Sequence, residues 1–302
     1  MYKRQEDKNP AIGQIGICLL SKARKLVQLK KLKLDDLKIV VIDEADFFFN
    51  SENELNQTKD LYAKIDKAKE GVQKLFFSAT YQPAIVKFIE NLVPDNSIKI
   101  EIPKEKLTLR GIKQMYHLTK KAEGEDGKFN SKLRVIKQIY EQFDDTQVIV
   151  FVNTRAYVNV IYKYLTDEGY TVSKLMGQME YAERDQVMRD FRNKKITFLI
   201  ATNLLSRGID IPGMNCVINF DVPYMKDEQG FLKADFENYI HRIGRTGRFD
   251  TKGVALTLIG VEDFDNEMAV LDEIKDHFGS SIEELKEVDQ LEDIYNEHTD
   301  PK

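Results

Sequence analysis

The feature that most constrains the fold of this 302-residue chain is a series of short apolar runs that hardly any polar residue interrupts. Their apolar residues occupy successive positions rather than every second one, which is typical of β-strands buried on both faces. Six runs are clear, at residues 39–42, 75–77, 148–152, 198–200, 217–220 and 254–259. The sequence therefore predicts a sheet whose two faces are both covered.

Segments with a helical period lie between the apolar runs. Three of them cover residues 133–140, 157–165 and 264–278, and Gly279 stops the last one. Because strands alternate with helices, the sequence predicts an α/β fold in which helices cover both sides of a parallel sheet.

The length of the chain suggests two domains, and the division is expected near the charged residues 103–110, after the strand-like residues 97–102. The first domain, residues 1–106, has few strand candidates and is predicted to be incomplete. The second, residues 107–280, has a full set of strands. Residues 281–302 are predicted to be an acidic tail, which is either a closing helix or a frayed end.

Composition excludes some classes of protein. Hydrophobic residues make up 42% of the chain, which is enough for a core. No apolar run reaches about 18 residues, so we expect no membrane span, and residues 1–5 lack a signal segment. Cys18 and Cys216 lie among apolar residues and are expected to be buried free thiols. These features favour a reducing compartment, the cytoplasm or the nucleus.

The charge of the chain is weakly acidic and uneven. A net charge of -5 and a pI near 5.6 are not typical of a nucleic-acid-binding protein. However, lysine and arginine crowd residues 22–33, whereas acidic residues dominate after residue 262. The basic stretch is explained either by a solvated helix face or by a local contact with RNA.

An acidic string follows the first apolar run. Residues 43–46 read Asp-Glu-Ala-Asp. In open α/β sheets, ligands bind beyond the carboxyl ends of the strands. A carboxylate there can hold Mg²⁺ through water, and a second one can accept a proton from an attacking water. Taken alone, the string is equally consistent with an acidic turn.

Two further strings carry groups suited to phosphate chemistry. Residues 77–80 read Phe-Ser-Ala-Thr at a strand end, where the hydroxyls can also cap a helix. Residues 239–248 read Tyr-Ile-His-Arg-Ile-Gly-Arg-Thr-Gly-Arg, a spacing that a charged helix face does not easily explain. Glycine allows backbone to approach a ligand, guanidinium groups clamp phosphate, and arginine from a second domain accelerates phosphoryl transfer.

Three more strings complete the set. Residues 150–155 read Val-Phe-Val-Asn-Thr-Arg, and residues 176–179 read Met-Gly-Gln-Met, with Arg184 following. Residues 201–203 read Ala-Thr-Asn, and residues 206–210 read Ser-Arg-Gly-Ile-Asp.

In this order, the strings resemble the motifs of DEAD-box ATP-dependent RNA helicases, from about residue 34 to about residue 297. The resemblance implies two RecA-like domains, with ATP and Mg²⁺ as cofactors. It implies that Asp43 holds Mg²⁺ through water, Glu44 activates the attacking water, and Asp210 binds the ribose. Arg245 and Arg248 are implied to contact the triphosphate and to stabilise charge on its γ-phosphate.

The resemblance also implies residues for coupling and for RNA. Coupling between the ATP site and RNA is assigned to Asp46, Ser78, Thr80 and His241. Contacts with the backbone of a single RNA strand, which carry little base preference, are assigned to Thr154, Arg155, Gly177, Arg184 and Thr202. Asn203 stands where many family members have Asp.

One loop indicates a branch of the family. Residues 224–238 occupy a place where most members have only a few residues. This expansion, like the residues from Asp276 to Leu285, resembles the mRNA-export branch that acts at the nuclear pore. The implied partners are nuclear-pore or export factors, the implied location includes the pore, and a monomer is expected. An unrelated insertion also explains the loop.

The phosphate-binding loop of the family is absent from these 302 residues. Its pattern, G-x-x-x-x-G-K-[ST], cradles phosphates with backbone N–H groups. The only Gly-Lys pair is Gly127-Lys128, and Phe129 follows it. Residues 21–24 match the family's Thr-Pro-Gly-Arg string too poorly to receive a role. The chain is therefore either a fragment of a working ATPase or a shortened protein that binds RNA or a partner without hydrolysing ATP.

Overall fold

The computed structural model describes residues 13–46, 52–78, 83–93, 96–101, 111–120, 127–143, 145–203, 214–247 and 252–299. The chain forms two compact units, residues 1–100 and residues 101–302. The predicted border between residues 106 and 107 falls outside the described residues.

The described part of the first unit contains a small parallel sheet and three helices. Strand β1 (Ile39–Ile42) pairs in parallel with β2 (Gln73–Phe76). The helices are α1 (Leu20–Gln28), α2 (Glu52–Ala68) and α3 (Pro83–Glu90). Leu34, Leu61 and Ile65 form the buried cluster of this unit. Arg24 of α1 and Lys64 of α2 both contact the carboxylate of Asp60, so part of the basic stretch packs between helices.

Three expectations for the first unit are wrong. Strand β1 is not buried on both faces, since 51% of Ile39 and 55% of Val41 is exposed. Residues 97–101 are not a strand, because no described strand pairs with them and the side chains of Ile98 and Ile100 are exposed. Cys18 is exposed, whereas Cys216 is buried as expected. An apolar run becomes a covered strand only where neighbouring strands and helices lie against it.

Among its described residues, the second unit is built on a parallel sheet of β3 (Ile112–Thr119), β4 (Val148–Val152), β5 (Val172–Leu175), β6 (Phe198–Thr202), β7 (Cys216–Asn219), β10 (Gly253–Gly260) and β11 (Ile282–Glu284). The order of these strands in the sheet is β11-β3-β10-β7-β4-β6-β5. Every residue of β4, β7 and β10 is buried, which agrees with the continuous apolar runs from which these strands were predicted.

Helices cover both faces of this sheet. They are α4 (Gly127–Gln142), α5 (Arg155–Asp167), α6 (Tyr181–Arg192), α7 (Phe236–Ile243), α8 (Phe264–Phe278) and α9 (Leu291–Thr299). The apolar cluster on one face contains residues of α4, α5 and α9, and the cluster on the other contains residues of α6, α7 and α8. Successive residues of β7 alternate between the two clusters, so this central strand contributes side chains to the core on both faces of the sheet.

The end of the chain closes the sheet. Helix α8 ends at Gly279, which has a left-handed φ of +58°, as expected for a helix stop. Strand β11 then pairs with β3 and becomes the edge of the sheet, and Leu285, Val288 and Leu291 are buried. Residues 282–299 therefore belong to the second unit rather than to a frayed end. None of the described helices combines the length and apolarity needed to cross a membrane.

Candidate nucleotide and RNA sites

Asp43 and Glu44 stand in a tight turn directly after β1. The adjacent strand holds the turn, since Phe77 N–H donates to Ile42 O at 2.8 Å and Ala45 N–H donates to Phe77 O at 2.9 Å. Glu44 has a φ of +52°, in the left-handed region that residues other than glycine seldom adopt. Both carboxylates therefore lie at the carboxyl end of a parallel strand, where ligands bind in open α/β sheets.

The first unit also joins two of the predicted coupling residues. The backbone N–H of Asp46 donates to Ser78 Oγ at 3.2 Å, although 32 positions separate them in the sequence. Asp46 is almost completely buried, and Ser78 is half-buried. The Asp-Glu-Ala-Asp turn and the Ser-Ala-Thr string are thus in direct contact. Thr80 lies outside the described residues.

In the second unit, helix α7 carries the arginine-rich string. Asp235 caps its start by accepting from Asn238 N–H at 3.0 Å. At its end, Arg245 is buried, and its Nε donates to His241 O at 3.1 Å. His241 is also buried, and its Nε2 lies 4.0 Å from Glu237 Oε1. The structure thus brings His241 and Arg245 together, while Arg248 and Asp210 lie outside the described residues.

Three neighbouring strands bring the predicted RNA-contacting residues to one edge of the second sheet. Val152 of β4 lies opposite Thr202 of β6, and Ala201 lies opposite Leu175 of β5. Neighbouring strands are about 4.8 Å apart, so the ends of β4 and β5 are separated by roughly 10 Å. Thr154 and Arg155 follow β4, Thr202 ends β6, and Gly177 follows β5.

Thr154 and Arg155 form the start of α5. Thr154 is the N-cap of the helix, and its Oγ1 accepts from Tyr157 N–H at 3.3 Å. The hydroxyl proton of Thr154 is not used in that bond and can be donated to an anion. The Arg155 side chain is exposed. Because the N-terminus of a helix also favours negative charge, this position suits a phosphate group.

Arg184 lies in the first turn of α6, and its backbone N–H donates to Glu180 O. Its Nε is buried and has no hydrogen-bond partner among the described residues. An unsatisfied guanidinium N–H is costly, and a carboxylate or phosphate oxygen would satisfy it.

Comparisons with known proteins agree with this arrangement. A family model described as a DEAD/DEAH box helicase matches residues 2–88, and one described as a helicase conserved C-terminal domain matches residues 131–250. A structure of S. cerevisiae Dbp5 bound to RNA and ADP BeF3 is 31% identical in sequence. The match covers 97% of this chain and 71% of that chain, with a TM-score of 0.84.

The chain belongs to the DEAD-box RNA helicase family. The ATP-dependent RNA helicase eIF4A of Neosartorya fischeri is 34% identical over 285 residues. Another structure, of a Dbp5 variant bound to Nup159, a Gle1 variant, IP6 and ADP, is 30% identical with a TM-score of 0.61. That match covers 97% of this chain and 72% of that chain. These matches confirm the predicted α/β fold with RecA-like parallel-sheet domains.

This DEAD-box chain spans a little less than two thirds of its curated relatives. The match covers 94% of the chain but 64% of the N. fischeri protein, and similar shares of the next relatives. The activity, substrates and partners of the whole protein are therefore proposals for this chain.

The expanded loop of this DEAD-box protein is a hairpin. Strand β8 (Tyr224–Lys226) pairs in antiparallel fashion with β9 (Leu232–Ala234). Glu273 of α8 anchors the hairpin by accepting from Ala234 N–H and Lys233 Nζ, both at 3.0 Å. A cleft of about 360 Å³ lies between the hairpin and α8, and Phe231 at its rim is 64% exposed.

Sequence reasoning gave no role to one residue of the arginine-rich string, Arg242. This side chain is completely buried and donates to Asn203 Oδ1, Asn153 Oδ1 and Asp221 O. An asparagine stands at the end of each of β4, β6 and β7. This pattern is the sequence signal from which a buried polar partner such as Arg242 could have been predicted.

Proposed function

We propose that this chain is part of an ATP-dependent RNA helicase that remodels RNA during mRNA export. The proposal rests on one observation: the ends of β4, β6 and β5 lie side by side in the second sheet and carry groups that can bind phosphate. Hydroxyl, guanidinium and backbone N–H groups of this kind hold the backbone of a strand without reading its bases. We call Thr154, Arg155, Gly177, Arg184 and Thr202 the RNA edge.

In the complete protein, the residues of the nucleotide site have separate roles. Asp43 would hold Mg²⁺ through water, which fits an exposed carboxylate, since Mg²⁺ usually keeps several waters. Glu44 would accept the proton of the attacking water, and Asp210 would bind the ribose. Bound ATP would supply the phosphoryl group that is transferred to water, and Mg²⁺ would neutralise charge on its phosphates. Arg245 and Arg248 would offset the charge that develops on the transferred group.

The coupling residues link nucleotide chemistry to RNA binding. Asp46 and Ser78 are in hydrogen-bond contact, which supports the proposal that the two motifs of the first unit act together. We propose that Thr80 and His241 act with this pair.

The sequence lacks the Gly-Lys pattern of the phosphate-binding loop, and this should lower the rate of ATP hydrolysis. Loss of one electrostatic donor at a catalytic site costs roughly 10²–10³ in rate, and the loop supplies a series of such donors together with a lysine. We propose that these 302 residues bind RNA and do not hydrolyse ATP by themselves. A second candidate function follows, a non-catalytic module that binds RNA or a partner protein.

The export role rests on two observations. The chain carries the 224–234 hairpin, and its fold matches Dbp5 structures, one of which contains Nup159 and Gle1. We propose that this protein acts in the cytoplasm or nucleus with partners at the nuclear pore.

The RNA part is tested with the full chain and a fluorescently labelled single-stranded RNA. We expect weak binding that falls steeply as salt rises, because phosphate contacts release counterions. Arg155→Ala should weaken binding severalfold. Arg192→Ala removes the same charge at the carboxyl end of α6, away from the RNA edge, and should leave the affinity unchanged. Binding that does not depend on salt, or equal losses in both variants, would contradict the proposal.

The catalytic part is tested by ATPase assays. We expect no RNA-stimulated turnover from the 302 residues. If a phosphate-binding loop is supplied in a longer protein, turnover should appear, and Arg248→Ala should then lower kcat strongly while leaving ATP binding mostly intact. A longer protein with the loop that still hydrolyses no ATP would favour the non-catalytic module.

A further inference from the structure

Arg242 is the hub of a buried polar network at the RNA edge. Its Nε donates to Asn203 Oδ1 at 2.7 Å, and its second terminal nitrogen donates to Asn153 Oδ1 at 2.6 Å. The remaining nitrogen donates to Asp221 O at 2.9 Å and lies 3.4 Å from Asn219 Oδ1. One guanidinium therefore contacts residues at the ends of β6, β4 and β7.

The partners of Arg242 adjoin the residues proposed to contact RNA. Asn153 immediately precedes Thr154 and Arg155, and Asn203 immediately follows Thr202. Because a guanidinium is rigid and planar, two amide oxygens bound to it are held at a fixed spacing. Backbone pairing fixes the spacing of the two strands up to Val152 and Thr202. Beyond that pair, Arg242 links the residue that follows β4 to the residue that follows β6.

Asn153 is held from a second side as well. Its Nδ2 donates to Val222 O at 2.9 Å, and its backbone N–H donates to Asp221 Oδ2 at 3.1 Å. The Arg242 Cζ atom lies over the Phe151 ring of β4, 5.7 Å from its centre. The end of β4 is thus held by Arg242 together with the residues that follow β7.

The positive charge of Arg242 is only partly offset by nearby carboxylates. Burial lowers the pKa of Arg242 to about 10, while the carboxylates of Asp221 and Asp235 oppose this shift. The group therefore remains charged at neutral pH. Burial also raises the pKa of Asp221, although Lys132, Asn153 and Arg242 favour its ionised form. The hydrogen bonds from Arg242 to Asn153 and Asn203 each join a cation to a neutral amide oxygen. Such bonds are stronger than those between two neutral groups.

We propose that Arg242 is a positioning residue that sets the geometry of the RNA edge. The inference rests on the proposed RNA-binding function. Arg242 itself touches no RNA, because it is completely buried. It acts by holding Asn153 and Asn203, and it connects the RNA edge to α7, the helix that carries His241 and Arg245.

The chain offers a matched control in Tyr239, which lies on the same helix as Arg242. This tyrosine is also buried, and its hydroxyl donates to Gln114 Oε1 on β3 at 2.8 Å. That bond leads away from the ends of β4 and β6. Tyr239→Phe should destabilise the unit without disturbing the RNA edge.

The test measures binding of a labelled oligouridine of about ten nucleotides to the full chain over a range of salt concentrations. We expect Arg242→Lys, which keeps the charge but not the fork, to weaken binding roughly tenfold. The slope of log affinity against log salt should fall by about 0.7 for each phosphate group that the protein no longer neutralises. Tyr239→Phe should keep both the affinity and the slope. A loss of folding alone reduces the active fraction and leaves the slope unchanged.

A double variant tests whether Arg242 acts through its neighbours. In an Arg155→Ala background, Arg242→Lys should cost much less affinity than it does in the parent chain. Additive losses, or an unchanged slope in Arg242→Lys, would overturn the inference. If Arg242→Lys does not fold, Asn203→Ala removes the bond between Arg242 and the end of β6 and should lower the slope, and an unchanged slope there also overturns the inference. A parent chain that binds no RNA would refute the proposed function instead.

Discussion

At the scale of single residues, Gly253 shows how closely the arginine-rich loop packs on the sheet. A Cβ atom at this position would lie 1.6 Å from Thr246 Oγ1 and 2.8 Å from Thr246 Cβ. Thr246 is almost completely buried, so it has no room to turn away. Thr246, which follows α7, therefore packs against the start of β10 at a point where only glycine leaves enough room.

Gly253→Ala is accordingly expected to destabilise the second unit by about 3 kcal/mol, because overpacking forces buried atoms apart. Gly279→Ala is a useful comparison, since a Cβ there meets no atom within 4 Å and only the φ of +58° opposes it. Its cost should be about 1 kcal/mol. Urea unfolding of the two variants measures both values, and a Gly253→Ala protein as stable as the Gly279→Ala protein would contradict the packing argument.

At the scale of elements, the 224–234 hairpin depends on its anchor. A two-stranded hairpin is marginally stable alone. Within this hairpin, Asp227 Oδ1 accepts from Gln229 N–H and Phe231 N–H. Outside it, Glu273 holds the backbone of Ala234, and this N–H is the main reason why the pKa of Glu273 is lowered.

Glu273→Ala should therefore speed amide hydrogen exchange in the hairpin and leave the amides of β10 unchanged. Asp272→Ala removes the adjacent carboxylate, which contacts Lys275 and not the hairpin, and should have no such effect. Faster exchange in both variants would mean that α8 as a whole had been loosened.

The anchor also predicts a pH dependence. The folded pKa of Glu273 lies below the ordinary value of about 4.3. Its contribution to stability is therefore complete above that value and is lost as the pH falls through the folded pKa. The difference in stability between the parent chain and Glu273→Gln should shrink as the pH is lowered below about 4, and a difference that grows would have the wrong sign.

At the scale of the whole molecule, the described parts of the two units differ in the size of their buried apolar clusters. The cluster of the first unit contains Leu34, Leu61 and Ile65, whereas the second unit has an extensive cluster on each face of its sheet. Stability differs between such regions because buried apolar area is the main favourable term in folding.

We therefore expect the first unit to unfold at lower urea concentration than the second. Hydrogen exchange should show early loss of protection in β1 and β2 and late loss in β4, β7 and β10. Ile65→Ala should shift only the first transition, and Ile218→Ala only the second, each by about 2–5 kcal/mol. A single transition shifted by both variants would show that the units unfold together.

The sequence predicted local features well. Strands β4, β7 and β10 were predicted from continuous apolar runs, and the end of α8 was predicted from Gly279. The prediction for residues 97–102 was wrong, because apolar residues cannot reveal whether a partner strand lies beside them. The exposed faces of Ile39 and Val41 have the same explanation.

By itself, the sequence determined the family, the α/β class and the strand ends where the motif residues stand, because each of these follows from residues close together in the chain. Only the tertiary structure decided that β4, β6 and β5 are neighbours, and that Arg242 joins Asn153, 89 positions away, to Asn203, 39 positions away. Such bonds depend on the order of strands in the sheet, and no local pattern of residues specifies that order.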